Sequence, residues 1–174
     1  MIERWSWGRR LNKAYVATET LVATTAGVLG ESGARDIGPP LDNLHCYVLD
    51  PSGHPLPIGV AGELYAAGPS ISEGYLGRPE LNAERFLPNP FARPELKNPI
   101  MYKTGDLVRW FPGGHIEYIG RVDFQVKIRG HRIECGEVAN AVSELPGVTS
   151  CIVIPLPSGA THRLVAYLIS EKTW

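Results

Sequence analysis

A change of hydrophobic period between residues 120 and 145 is the feature that most constrains how this chain can fold. Phe124, Val126 and Ile128 alternate with polar residues, which is the period of a half-buried strand. Gly130 can supply a tight turn, and an apolar stripe at helical spacing follows it. The stripe consists of Val138, Ala141, Val142 and Leu145, and Pro146-Gly147 ends it. We therefore predict a small hairpin and then a helix, at a junction between two domains.

The composition of the chain is that of an ordinary soluble globular protein, with 44% hydrophobic and 20% charged residues among 174. Seventeen basic and eighteen acidic residues give a net charge of -1, which argues against nucleic acid or an anionic membrane as a partner. No apolar run approaches the roughly 20 residues that cross a bilayer. The three scattered cysteines, Cys46, Cys135 and Cys151, predict buried free thiols in a reducing compartment, so we expect a cytoplasmic protein.

Turn residues divide most of the chain into short strands, since it contains 19 glycines and 15 prolines. Two strand pairs are predicted, residues 45–50 with 62–67 and residues 107–111 with 115–119. The second pair is joined by Pro112-Gly113-Gly114, which is a compact hairpin signal.

The remaining elements are a short helix over residues 79–86 and two closing strands over residues 150–154 and 163–169. Residues 27–40 are predicted to be a glycine-rich connector. The fold class is therefore α+β, with a β-rich block up to about residue 120 and a small α+β block after it.

Two short segments combine residue types that suit a nucleotide site. Thr18 and Glu19 pair a hydroxyl with a carboxylate beside the aromatic Tyr15, and hard oxygen ligands of this kind suit Mg²⁺ beside a phosphate. Asp106 follows a glycine before a strand, where its carboxylate could accept hydrogen bonds from the vicinal hydroxyls of a ribose. The alternatives are a polar strand end and a turn aspartate that satisfies its own backbone.

A third group of charged residues lies at the predicted junction. Arg121 and Asp123 stand one residue apart; the guanidinium suits phosphate or ribose oxygens, and the carboxylate lies where a hinge is plausible. A surface ion pair is the alternative. The basic residues of the hairpin either form a solvated face or meet an anionic partner; they are Lys127, Arg129, His131 and Arg132.

Taken in order, these segments resemble the core motifs of the amino-acid adenylation domains of nonribosomal peptide synthetases, which belong to the adenylate-forming, AMP-binding ligases. The most specific motif is Gly-Arg-x-Asp-x-Gln-Val-Lys-Ile-Arg-Gly-x-Arg-Ile-Glu, beginning at Gly120. The likeness covers nearly everything between residues 11 and 169. The matching segments are 14–20, 62–64, 74–76, 85–86, 102–107 and 120–137.

The resemblance implies a domain organisation. Residues 11–122 would be a β-rich, distorted barrel-like part of the large AMP-binding lobe. Residues 123–174 would be the hinge and the beginning of the small α+β C-terminal lobe. Residues 1–10 match nothing in the family and stay unplaced.

The resemblance also implies a role for each nucleotide-site residue, with ATP or AMP and Mg²⁺ as cofactors. Tyr15 would lie against the adenine, Asp106 would hold the ribose hydroxyls, and Arg121 would assist at the ribose and phosphate. Thr18 near the phosphate and Glu19 at the metal would be the catalytic residues.

The same resemblance implies roles for further residues, in domain rotation and in binding the amino acid and the carrier protein. Asp123 would be the hinge about which the small lobe rotates between adenylate and thioester formation. The resemblance implies that the substrate would be an amino acid and the partner a peptidyl carrier protein, whose phosphopantetheine thiol would accept the product. The amino-acid pocket would include Ala14, Val22 and Ala23, and the hairpin face toward the carrier would include Lys127, Arg129 and Gly130.

The sequence also departs from the family pattern. Val16-Ala17 stands where the family has Gly-Pro, and Cys135 replaces a leucine. No phosphate loop precedes Tyr15, and the late motif with a catalytic lysine is absent, so we expect a C-terminal fragment that is inactive alone. The alternatives are an adenylation domain for an aryl or fatty acid with a reductase or CoA acceptor, and a degenerate module that binds a carrier domain.

Overall fold

A computed structural model describes residues 7–21, 23–28, 33, 35–92, 99–123, 125–128, 131–159 and 161–170. The contacts divide the chain into two compact units, Met1–Val122 and Asp123–Trp174, called here the first and second unit. No helix among these described residues is long and apolar enough to cross a membrane.

The first unit is built on an open antiparallel sheet of six strands. The strand order is β3-β8-β7-β5-β4, and β6 pairs with β7 off this path. A separate pair, β1 with β2, and a short helix α1 (Pro79–Arg85) complete the unit. The strands are β1 (Asn12–Tyr15), β2 (Thr25–Val28), β3 (Asp36–Gly38), β4 (His45–Leu49), β5 (Gly62–Ala67), β6 (Phe86–Pro88), β7 (Ile100–Trp110) and β8 (Ile116–Arg121). The described part of this sheet is open at β3 and β4, so the barrel-like part that was expected is not a closed barrel, and the predicted α+β class is confirmed.

Local turns explain the two hairpins that the sequence predicted. Between β7 and β8, Gly113 and Gly114 adopt positive φ angles of 88° and 80° in the turn. After β4, the Asp50 carboxylate accepts hydrogen bonds from the backbone N–H groups of Ser52 and His54 at 2.8 and 2.9 Å. The bond from the His54 N–H is the main reason that the pKa of Asp50 lies below its ordinary value. Both predicted strand pairs are confirmed.

The sheet carries its core on side chains that alternate along the central strands. One cluster contains Ile37, Cys46, Val48, Leu64, Val108 and Ile116, and a second contains Leu49, Tyr65, Ala67 and Met101. A fully buried aliphatic side chain of this size contributes about 1.5 to 3 kcal/mol to stability. Burial also raises the pKa of the Cys46 thiol to about 12, so this cysteine behaves as a small hydrophobic residue.

The described residues of the segment 27–40 include strand residues, which corrects the prediction of a connector there. The end of β2 and all of β3 lie within it, and β3 pairs with β8. At Gly38 a Cβ atom would lie 2.3 Å from the carbonyl carbon and oxygen of Ala26. Only glycine fits where β3 approaches β2 so closely, and its φ of 83° is also one that glycine adopts easily.

The second unit consists of two hairpins and one helix. Its elements are β9 (Val126–Ile128), β10 (His131–Ile133), α2 (Cys135–Ser143), β11 (Val148–Ser158) and β12 (Thr161–Ser170). Helix α2 packs on β11, and Cys135 and Val153 are buried in this unit. The predicted hairpin, helix and closing strands are confirmed, although α2 ends before Leu145 and the closing strands are longer than predicted.

The three cysteines are all free thiols, as the sequence predicted. Cys46 and Cys135 are buried, and Cys151 is half-buried. The pKa of Cys135 is raised, first by burial and then by the charges of Glu134 and Asp123.

Candidate functional site

A buried carboxylate with two ordered partners forms the centre of the candidate site. Asp106 lies on β7, directly opposite Arg121 in the register with β8, and only 6% of its surface is exposed. Its Oδ1 accepts a hydrogen bond from Arg121 Nη1 at 2.9 Å, and its Oδ2 accepts one from the hydroxyl of Tyr15 on β1. Three strands therefore place Tyr15, Asp106 and Arg121 together.

The backbone before Asp106 is fixed by polar groups of β5 and β7. Thr104 donates its hydroxyl to the carbonyl oxygen of Leu64 at 2.8 Å and accepts the backbone N–H of Asp106 at 3.1 Å. Gly105 has a φ of 77°, and its N–H donates to Glu63 Oε1 at 3.1 Å. Asp106 is thus a strand residue whose carboxylate points to Tyr15 and Arg121, which excludes the alternative of an isolated turn aspartate.

Tyr15 acts as a hydrogen-bond donor at every ordinary pH. Its pKa is raised far above the usual value, mainly because burial disfavours the phenolate and also because the charge of Asp106 does so. The nearby Arg121 opposes this rise without cancelling it. The hydroxyl consequently remains protonated and holds one oxygen of the Asp106 carboxylate.

Thr18 and Glu19 lie in a short loop that Tyr15 closes. The N–H of Thr24 donates to the carbonyl oxygen of Tyr15 at 2.9 Å, and a 3-10 turn, Thr18–Thr20, occupies the loop between them. Thr18 is exposed, whereas Glu19 is 6% exposed. Thr20, which is buried, shares a hydrogen bond of 2.6 Å with the hydroxyl of Thr24 and stiffens the loop.

Glu19 is held by the segment that follows β5. Its carbonyl oxygen accepts the N–H of Ser72 at 2.9 Å, and its Oε1 accepts the hydroxyl of Tyr75 at 2.5 Å. Burial, and after it the hydrogen bond to Glu19, raises the pKa of Tyr75 far above its ordinary value. The phenol hydroxyl of Tyr102 lies 3.4 Å from that of Tyr75.

The donors around Glu19 suit one kind of metal site. Among the residues that the structure describes, no three His, Cys, Asp or Glu side chains lie close enough to hold a metal ion by themselves. Mg²⁺ in nucleotide sites is commonly bound by one or two carboxylates together with phosphate oxygens and water. A single carboxylate beside an exposed threonine hydroxyl therefore fits Mg²⁺ carried by a polyphosphate, but not a metal site made of protein ligands alone.

The other predicted site residues are less closely defined. Ala14 on β1 is exposed and Ala23 is half-buried. In the second unit, Asp123 accepts the N–H of Gln125 at 3.2 Å, and Lys127 stands opposite Arg132 in the β9–β10 register. Three predicted residues lie outside the described residues: Val22, Arg129 and Gly130.

Tyr75 and Tyr102 contact the predicted site, although no role was assigned to them from the sequence. Both lie in segments whose motifs match the family, but their pairing joins residues 27 positions apart and leaves no periodic signal. The one sequence signal that could have indicated a role for Tyr75 is its position directly after a glycine in a loop, at Gly74-Tyr75.

The pattern of the family described as "AMP-binding enzyme" matches residues 3–76, which corrects the expectation that residues 1–10 match nothing in the family. Bacitracin synthase 3 of Bacillus licheniformis is 46% identical over 175 residues, which is 100% of this chain and 3% of that protein. The chain thus spans a small part of the curated relative that it matches. These matches are to the nonribosomal peptide synthetase type, so the alternative of an adenylation domain for an aryl or fatty acid is not favoured.

Two solved structures are similar to the chain. One is holo-AB3403, described as a four-domain nonribosomal peptide synthetase bound to AMP and glycine, with 37% identity, a TM-score of 0.57, and coverage of 94% of this chain and 12% of that one. The other is PA1221, described as a protein with adenylation and PCP domains, with a TM-score of 0.76 and coverage of 98% of this chain and 34% of that one. At 23% identity, PA1221 supports the fold alone.

Proposed function

Because the chain belongs to the AMP-binding enzymes, as part of an adenylation domain of the nonribosomal peptide synthetase type, we propose that it binds the ribose and the metal-bound phosphates of ATP. The observation that carries this proposal is the Asp106 carboxylate, whose two oxygens are oriented by Tyr15 and Arg121. Such an oriented, buried acceptor suits a vicinal diol.

The 2′- and 3′-hydroxyls of the ribose would donate to the carboxylate of Asp106, since each carboxylate oxygen can accept more than one hydrogen bond. The planar guanidinium of Arg121, beside this carboxylate, suits a ribose or phosphate oxygen. The ring of Tyr15 would lie against the adenine.

Thr18 and Glu19 would serve the phosphates. The exposed hydroxyl of Thr18 can donate to a phosphate oxygen, and Glu19 would hold Mg²⁺, which neutralises phosphate charge when bound. In the reaction, the carboxylate of an amino acid attacks the α-phosphorus, an acyl–phosphate bond forms, and the bond to pyrophosphate breaks. The pocket for that amino acid would include Ala14, Val22 and Ala23.

The second unit would serve the thioester step. The thiol of a carrier-bound phosphopantetheine would attack the aminoacyl carbonyl, form the thioester and release AMP. We propose Asp123 as the hinge, since the two compact units divide between Val122 and Asp123, and the basic hairpin with Lys127, Arg129 and Gly130 as the face toward the carrier protein. The three free thiols favour the cytoplasm.

The full reaction would require the longer protein, since the chain spans 3% of bacitracin synthase 3 and 34% of PA1221. We expect the purified chain to show no amino-acid-dependent exchange between ATP and pyrophosphate above the background without protein. Robust exchange would show that the chain is a complete catalyst and would contradict this part of the proposal.

Recognition of the diol is tested by comparing AMP with 2′,3′-dideoxy-AMP. Calorimetric titration of the chain should give saturable AMP binding and an affinity for the dideoxy analogue about 10-fold or more lower. The reason is that the analogue leaves the buried polar acceptors of Asp106 without the ribose hydroxyls. Equal affinities would remove Asp106 from ribose recognition.

A further inference from the structure

We propose that Tyr75 is a positioning residue, which orients the Glu19 carboxylate toward the metal-bound phosphates. This inference rests on the proposed function, because it assumes that Glu19 faces Mg²⁺. Its basis is the hydrogen bond of 2.5 Å from the Tyr75 hydroxyl to Glu19 Oε1. With one oxygen held in this way, the plane of the carboxylate is fixed and the second oxygen has a defined direction.

Both the side chain and the main chain of Glu19 are attached to the same segment. Ser72 donates its N–H to the carbonyl oxygen of Glu19 at 2.9 Å, three residues before Tyr75 provides its hydroxyl. A mobile glutamate would lose side-chain entropy on binding a metal ion. Because these bonds already order Glu19 in the free protein, less entropy would be lost on binding. The segment from Ser72 to Tyr75 thus supports Glu19 as a unit.

Helix α1 fixes the backbone of Tyr75. Asn82 accepts the N–H of Tyr75 through Oδ1 at 2.7 Å and donates through Nδ2 to its carbonyl oxygen at 2.9 Å. Gly74 makes this approach possible, because a Cβ atom there would lie 2.9 Å from the Asn82 amide and its φ is 131°. One side chain of α1 therefore holds both polar groups of the Tyr75 backbone.

Aromatic packing fixes the ring. Phe86 contacts Tyr75 edge to face, with ring centroids 5.5 Å apart and planes at 72°, and it contacts the buried Tyr102 at 5.1 Å. The Tyr102 hydroxyl lies 3.4 Å from that of Tyr75. Tyr102 belongs to β7. The contacts from Glu19 through Tyr75 and Phe86 to Tyr102 therefore tie the orientation of Glu19 to the central sheet as well as to its own loop.

The test uses Tyr75→Phe, which keeps the ring that packs on Phe86 and removes only the hydroxyl. The matched control is Tyr47→Phe, since Tyr47 is a partly buried tyrosine that packs against the second core cluster and against Phe91. For each protein, AMP affinity is measured in EDTA and ATP affinity is measured over a series of Mg²⁺ concentrations. The first measurement reports the ribose site and the second reports the metal site.

Tyr75→Phe should raise the Mg²⁺ concentration for half-maximal ATP binding by about 10-fold, as loss of a residue that orients a metal ligand commonly does. Its AMP affinity in EDTA should remain within about two-fold of wild type, as should both values for Tyr47→Phe. An unchanged Mg²⁺ requirement in Tyr75→Phe, with AMP binding intact, overturns this inference alone. A parallel loss of AMP affinity would indicate a general structural role and would also overturn it. If the wild-type chain binds neither nucleotide, the proposed function fails as well.

Discussion

At the residue scale, the candidate site depends on one acidic group and the groups that hold it. Asp106 is buried with Arg121 as its ion-pair partner and with the Tyr15 hydroxyl on its other oxygen. A buried ion pair contributes little when compared with an apolar pair, but removal of one partner leaves an uncompensated charge. The cluster is therefore sensitive to single substitutions, and each partner can be tested separately.

The substitution Tyr15→Phe should lower the free energy of unfolding by about 1 to 3 kcal/mol, because it removes a donor from a buried carboxylate oxygen. Urea denaturation followed by fluorescence measures this change. Tyr47→Phe is the control, since the Tyr47 hydroxyl accepts a long bond of 3.5 Å from Asn89, and its loss should cost less than about 0.5 kcal/mol. Equal effects of the two substitutions would mean that the Tyr15 hydroxyl does not hold Asp106.

The site residues that sequence reasoning found are those that lie inside family motifs. Tyr15, Asp106 and Arg121 were predicted, and the structure places all three in contact. Sequence reasoning did not find that Tyr75 contacts Glu19, because a bond between residues 56 positions apart depends on how β5, α1 and β7 pack. Such contacts arise from tertiary structure and leave no local pattern.

At the element scale, the hairpins were predictable and the pairing of β3 with β8 was not. Turn residues next to alternating strands determine the β4–β5 and β7–β8 pairs, so short stretches of sequence contain the signal. In contrast, β3 pairs with β8, where Asp36 stands opposite Glu117, and the Asp36 carboxylate contacts His115 at 2.9 Å. This pairing brings together segments about 80 residues apart, which local periodicity cannot indicate.

Gly53 and Gly38 have nearly the same φ angle but different surroundings, so substituting each of them distinguishes the cost of backbone strain from the cost of a steric clash. Gly53 has a φ of 82°, and a Cβ atom added to it would lie within 4 Å of no atom of the described residues apart from its chain neighbours, whereas Gly38 has a φ of 83° and abuts the Ala26 carbonyl. Gly53→Ala should destabilise the protein by about 1 to 2 kcal/mol from the left-handed φ alone. Gly38→Ala should cost about 2 to 5 kcal/mol, since overpacking adds to the strain. Similar urea midpoints for both variants would contradict the close approach of Gly38 in β3 to Ala26 in β2.

At the scale of the whole molecule, the chain forms two compact units with separate buried residues. Val108 is fully buried in the first unit, and Val153 is 2% exposed in the second. A substitution in one unit should therefore loosen that unit before it affects the other. Such independence is what a hinge near Asp123 would require.

Hydrogen exchange on Val153→Ala and Val108→Ala tests this independence. Each substitution removes two buried methyl groups and should cost about 1 to 3 kcal/mol in its own unit. Amide exchange should accelerate in β11 and β12 for Val153→Ala, and in β7 and β8 for Val108→Ala. Acceleration of all four strands by either variant would show that the two units unfold together.

The central claim is that Asp106 makes this chain a ribose-binding part of an adenylation site, and calorimetric titration with AMP tests it most directly. The wild-type chain and the control Asp42→Asn, at an exposed position, should bind AMP with equal affinity. Asp106→Asn should bind at least about 10-fold more weakly, because a neutral amide replaces the charged acceptor between Tyr15 and Arg121. Equal AMP affinity in Asp106→Asn and wild type, or no saturable binding by wild type, would contradict the claim.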